Sequence, residues 1–202
     1  VIRSYLPLLR EERRILMFGM LMTFSSSFGQ TFFISLFVPA WEQEFALGSG
    51  MFGSLYSLAT LMSAALLPVV GRWVDEIDLR RYALAVAIGL GFSCLSLALV
   101  GNPWHLLLAL FGLRLFGQGL CGHIASTTMA RRFQRERGKA LSISALGYPI
   151  GEGIVPTLGI LAIAGLGWRA TSLVDGGLVA LVLIPLIVWF LAPRELRRPP
   201  TN

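Results

Sequence analysis

The 202-residue chain is 55% hydrophobic and 14% charged, with a mean hydropathy of +0.71, a balance that excludes a soluble globular domain. The net charge of +6 does not point to nucleic acid, because the basic residues are divided among short segments that flank apolar runs, where Lys and Arg set topology beside anionic headgroups. Its two cysteines, Cys94 and Cys121, fall inside apolar runs, so neither a disulfide framework nor a metal site is indicated, and nothing calls for a cofactor.

In chain order, residues 1–14 form a basic amphiphilic lead-in with Arg3, Arg10, Arg13 and Arg14. A helix needs about 20 apolar residues to cross a bilayer. Six runs meet that length, and the predicted spans are 15–41, 45–70, 82–101, 104–130, 140–165 and 170–193. Ile15 to Trp41 is too long for a signal h-region and lacks a clear small-residue cleavage site. Apart from Arg114 and Arg169, all 17 Lys and Arg residues lie in alternate gaps: before the first span, between the second and third, between the fourth and fifth, and after the sixth. The positive-inside rule makes those gaps, and both termini, cytoplasmic. Trp41, Trp104 and Trp168 fall at the opposite ends, a placement expected of an outer headgroup belt. Residues 194–202 read as the start of a cytoplasmic linker. With Val1 in place of a methionine, the chain is expected to be a piece of something longer.

The expected fold is therefore an all-α, multi-pass integral protein of the plasma (inner) membrane. Six helices divide as three plus three, and the odd count makes the second triplet an inverted repeat with its binding site near the midplane. Glycines are frequent where helices would touch: Gly147 and Gly151 on the fifth span, and Gly117, Gly119 and Gly122 on the fourth. Close helix packing accounts for them.

A charge at mid-bilayer costs roughly 2.5–3.5 kcal/mol on insertion scales and usually faces a cavity or a partner. Arg114 lies about 15 Å along the fourth span from Trp104, and Glu152 about 18 Å along the fifth from Ala140, at about 1.5 Å per residue. Neighbouring helices at those depths predict an Arg114–Glu152 pair or a shared cavity. Gln118 follows Arg114 by one turn, and Gln30 sits in a polar band of the first span with Thr23, Ser26, Ser27 and Thr31. Gln30, Arg114 and Gln118 are the candidate substrate-binding residues, with Glu152 the candidate proton-coupling residue. Asp175 is expected to be an interfacial cap near Arg169, His123 a packing residue and His105 an interfacial one.

The loop after the second span reads Gly71-Arg72-Trp73-Val74-Asp75-Glu76-Ile77-Asp78-Leu79-Arg80-Arg81. It resembles the signature of the major facilitator superfamily at Gly71, Asp75, Arg80 and Arg81, and departs from it at Glu76, Asp78 and Leu79. The resemblance implies a cytoplasmic charge network that latches the outward-open state through Asp75, with Arg131 or Arg132 as local partners. Arg114 stands where many members carry a cavity-facing arginine followed by glycines. The segment with Arg135, Arg137, Ala140, Gly147, Pro149 and Gly151 is most similar to the monocarboxylate-porter and organic-anion branch. The resemblance spans essentially the whole chain and one half of such a transporter.

The expected function is secondary active transport of a small organic solute, a carboxylate anion by the chemistry of Arg114, by alternating access and with proton coupling through Glu152. Its expected partners are the lipid bilayer, the small-molecule substrate, and a second six-helix half, either further along the chain or in a second copy. Two alternatives stay open. A half-size six-helix protein acting as a dimer or scaffold would lack the six further spans that a transporter half requires beyond Asn202. An intramembrane hydrolase needs a nucleophile paired with a base or a metal. The serines of the first span have no evident histidine partner, so no catalytic residue is assigned. Asn102-Pro103-Trp104 resembles a water-channel motif but occurs once, at a span edge.

Overall fold

The computed structural model describes Leu8 and residues 12–192. Arg3, Arg10, most of the lead-in, and the 194–202 segment with Arg194, Arg197 and Arg198 lie outside the described residues. All regular structure among the described residues is helical. Among the described residues, four stretches are long and apolar enough to cross a membrane: Ser49–Glu76, Leu79–Ala98, Pro103–Arg132 and the 54-residue Arg137–Phe190.

Two of the predicted spans depart from a simple rod. The first apolar run is broken. It comprises α1 (Arg13–Ser25), a 3-10 turn over Ser26–Gly29, α2 (Thr31–Ile34) and α3 (Val38–Glu44). Serine hydroxyls compete for backbone carbonyls here: Ser26 Oγ donates to the Thr23 carbonyl at 2.7 Å, and Ser35 Oγ to that of Phe32 at 2.9 Å. Gln30 is extended, with φ −81° and ψ 152°, and Pro39 offers no N–H to continue the ladder. At the other end of the chain, the stretch α10 (Gly147–Leu178) is two helices joined directly at a kink at Gly167, where the fifth-to-sixth turn is expected. Its φ of 80° there is open to glycine without strain.

The remaining elements are α4 (Ser49–Gly71), the short α5 (Trp73–Glu76), α6 (Leu79–Ala98), α7 (Pro103–Gly112), α8 (Gly122–Arg132), α9 (Arg137–Ala145) and α11 (Ile184–Phe190). Asp78, where the resemblance expects glycine, caps α6 by accepting from the Arg81 amide at 3.1 Å. Two segments widen to i→i+5 bonding: Leu113–Cys121 between α7 and α8, and Val179–Leu183 before α11. Pro185 follows the second, and its missing N–H leaves the Leu181 carbonyl without its usual helical donor.

α1 lies against α8, α9 and α10, and the 3-10 turn presses on the i→i+5 segment. Glycines permit this. A Cβ on Gly117 would lie 2.8 Å from the Gly29 Cα, and one on Gly147 2.6 Å from the Phe24 amide nitrogen. Thr23 Oγ1 ties the same contact by donating to the Ser144 carbonyl at 2.6 Å.

The tryptophan belt needs correction. Trp104 is exposed, but Trp41 is 0% and Trp168 8% accessible. Trp41 stacks on Phe37 with centroids 5.4 Å apart and meets Trp168 edge-on at 6.2 Å. Large rings at the end of a broken helix fill the core in preference to the headgroup layer.

Candidate functional site: a cleft between α4 and the arginine-bearing helix

Arg114 stands on the first turn of the widened segment and is 9% accessible. Its Nη1 donates to the Gly29 carbonyl at 3.2 Å, at the break in the first apolar run. Its Cζ lies 5.2 Å from the centre of the Tyr56 ring, which comes from α4, within cation–π range. Its Nε is buried without a hydrogen-bond partner. A guanidinium carries five N–H donors and no acceptor, so this one is held in place while its hydrogen-bonding capacity is largely unspent.

A cleft of about 500 Å³ opens beside it, lined by Thr60 and Ser63 of α4, by Arg114, Gln118 and Ser126 of the facing helical stretch, and by Tyr148 of α10. Arg114, Gln118, Gly122 and Ser126 all reach it, one turn after another. The volume falls within the range of small-molecule sites. A second cleft of about 360 Å³ shares Leu67 with the first and runs past His123 to Asp75 and Arg131.

Of the substrate-binding candidates, the structure brings Arg114 and Gln118 to one cleft. Gln30 is half-buried at the break, next to the carbonyl that Arg114 engages. Glu152 is exposed, one turn beyond Tyr148 on α10. The expected Arg114–Glu152 pair does not form. At this level α1 and its 3-10 turn pack against both helices: Gly117 meets Gly29, and Gly151 meets Ser27 and Phe24. Thr23, Ser26 and Ser27 of the polar band are spent on this packing and are buried. The expected Asp175–Arg169 cap is likewise corrected. Asp175 is 8% accessible on α10, while Arg169 donates to Glu44 at 2.5 Å and to the Val100 carbonyl at 2.8 Å.

At one end of the bundle Asp75 pairs with Arg131, both about half exposed. Arg132 instead pairs with Glu12 at 3.0 Å, with side chains 11% and 8% accessible. Gly71 contributes its carbonyl, 3.0 Å from His123 Nε2, so His123 ties the end of α4 to α8. Arg80 is half-buried and Arg81 exposed at the start of α6. At the opposite end Glu44 accepts from Trp168 Nε1 at 2.9 Å as well as from Arg169. The Arg169 hydrogen bond, aided by Trp168 and opposed by desolvation, holds the Glu44 carboxyl below the usual carboxylate range.

Sequence reasoning missed Tyr56, Thr60, Ser63 and Tyr148. The signal existed for three of them: Tyr56, Thr60 and Ser63 recur at four- and three-residue steps in an otherwise apolar run, which puts them on one helical face.

Residues 19–202 match the profile of the Major Facilitator Superfamily. The chain belongs to that superfamily. Among characterised members it is 31% identical over 165 residues to a gallate transporter of Pseudomonas putida, covering 79% of this chain and 35% of that protein. It is 31% identical over 155 residues to a 3-(3-hydroxy-phenyl)propionate transporter of Escherichia coli, covering 74% and 36%. A multi-drug resistance efflux pump homologue of Lactococcus lactis is 29% identical over 161 residues, covering 76% and 38%. The chain thus spans about a third of the length of these superfamily members. No solved structure matches it significantly. The organic-anion branch expected from the fifth-span motif fits the first two relatives.

Proposed function

We propose that this chain is the amino-terminal six-helix half of a secondary transporter that moves a small organic acid, in its carboxylate form, by alternating access. The observation that carries this reading is Arg114, a buried cation at the deep end of a cleft, with Nε unpartnered and only a neutral carbonyl and a ring for company. A carboxylate supplies what that guanidinium lacks, through short bidentate hydrogen bonds. Gln118, Tyr148, Thr60 and Ser63 offer polar groups for the rest of a substrate. The names of two relatives point to aromatic acids.

In this reading the broken first run is one crossing, and the 54-residue stretch is two, divided at Gly167. That gives six spans as a 3+3 inverted repeat with both ends cytoplasmic. Asp75 with Arg131, together with Gly71, Arg80 and Arg81, forms the cytoplasmic latch. Glu152, exposed one turn beyond Tyr148 on α10, is the proton-coupling residue, and a second six-helix half packs over it.

The test uses the intact protein in proteoliposomes, with gallate, benzoate and 3-(3-hydroxyphenyl)propionate offered with and without a pH gradient. Uptake that rises with an inward proton gradient, falls at least tenfold in Arg114→Lys, and loses its pH dependence in Glu152→Gln supports the reading. Lysine keeps the charge but not the planar fork. Uptake indifferent to both variants sinks it. Topology is tested by cysteine labelling: substitutions at Glu44 and Asn102 should react from outside, and those at Asp78 and Gln134 from the cytoplasm.

A further inference from the structure

Gly29 and Thr31 flank the extended Gln30, and each is gripped by a different helix. The Gln30 carbonyl accepts from both the Phe33 and Ile34 amides, at 3.2 and 3.1 Å. The Gly29 carbonyl is taken by Arg114 Nη1 at 3.2 Å. On the other side of the break, the Thr31 hydroxyl bonds the Tyr56 hydroxyl at 2.6 Å. The two gripping side chains also meet each other, with the guanidinium over the phenol ring at 5.2 Å. Arg114, Tyr56, Thr31 and Gly29 therefore form one continuous clasp across the break.

We infer that Tyr56 and Thr31 are positioning residues that park Arg114 on the break, and that a carboxylate entering the cleft opens this clasp. The inference rests on the reading of Arg114 as the carboxylate site. The ring faces the guanidinium and keeps it at the cleft. The phenol hydroxyl carries the position of α2 to that ring through Thr31. A carboxylate competes for N–H groups that now serve a neutral carbonyl, and charge-assisted bonds are roughly twice as strong. Binding thus draws the guanidinium from Gly29, whose carbonyl loses its cross-helix donor, and leaves the break held only through Thr31 and Tyr56. A ligand shifts a conformational equilibrium only through its different affinity for the two states. Here that difference is the bond to Gly29, made before binding and surrendered after it.

The roles separate by variant. Tyr56→Phe keeps the ring and loses the link to Thr31, so KM for the carboxylate should stay within about twofold while turnover changes at least threefold, the scale of one lost hydrogen bond. Thr31→Val should reproduce that effect, and the double variant should be no worse than either single one, because both remove the same bond. Tyr56→Leu also removes the ring and should raise KM by about tenfold, the scale of one desolvated cation–π contact. Amide hydrogen exchange over residues 30–34 gives a readout independent of substrate. It should be faster in ligand-free Tyr56→Phe and Thr31→Val, and faster in wild type on adding whichever of gallate, benzoate or 3-(3-hydroxyphenyl)propionate is taken up best. Unchanged exchange and turnover in both single variants, or additive effects in the double variant, would overturn the clasp. Normal uptake by Arg114→Gln would overturn the site itself. Loss of uptake in that variant alongside wild-type behaviour of Tyr56→Phe and Thr31→Val would remove only the clasp.

Discussion

Gly117→Ala should destabilise this protein out of proportion to one methyl group. A Cβ there would sit 2.8 Å from both the Cα and the amide nitrogen of Gly29, and 3.3 Å from Leu90 Cδ1. Its first contacts are backbone, which cannot rotate aside as a flexible side chain would. Overpacking of this kind costs about 1–3 kcal/mol. The same substitution raises helix propensity by about 1 kcal/mol, so the comparison needs a control that gains only that. Gly153→Ala supplies it, because nothing lies within 4 Å of its Cβ. The two variants should then differ by about 1–3 kcal/mol. At roughly 2–4 °C per kcal/mol for a 150–250-residue domain, Gly117→Ala should melt several degrees below Gly153→Ala when the intact, ligand-free protein is unfolded in detergent and followed by tryptophan fluorescence. Equal melting temperatures for the two variants would refute the idea that this crossing is closed to a side chain.

The two ends of the bundle give further outcomes. Asp75→Asn removes the Arg131 ion pair while leaving the Arg114 cleft untouched; distance measurements across that end of the intact protein should show a population shift, with carboxylate affinity preserved. At the other end, Glu44 is held below its ordinary range by Arg169 and Trp168. A depressed carboxylate contributes stability that is complete above its unfolded value and is lost as pH falls through the folded one. Thermal stability of the wild type should therefore drop at low pH by a component that Glu44→Gln lacks, and identical pH profiles for the two would argue against this cluster.

Much of the fold was legible because membrane-spanning length and charge placement are one-dimensional signals. The breaks were less so. Nothing in hydropathy separates Ile15–Trp41 from a straight span, yet Ser25, Ser26, Ser27, Gly29 and Pro39 together interrupt it. Arg114 and Gln118 could be read from depth and helical spacing. The supposed partner Glu152 could not be judged that way, because spacing says nothing about which helix lies between two others. Gly29, Gly117, Gly147 and Gly151 admit α1 into that gap. Trp41 and Trp168 misled for a related reason: a tryptophan at a span end has the same sequence signature whether it faces headgroups or a neighbouring ring.

Arg114 is proposed to recognise a carboxylate. Titration calorimetry on the intact, detergent-solubilised protein tests it most directly, with benzoate, gallate and 3-(3-hydroxyphenyl)propionate each compared with its primary amide. The amide preserves size and ring but removes the charge. At least one acid should bind about tenfold or more tightly than its amide, the scale of a charge-assisted bidentate pair, and Arg114→Gln should erase that preference. Equal affinity for every acid and its amide, or a preference that survives in Arg114→Gln, would contradict it.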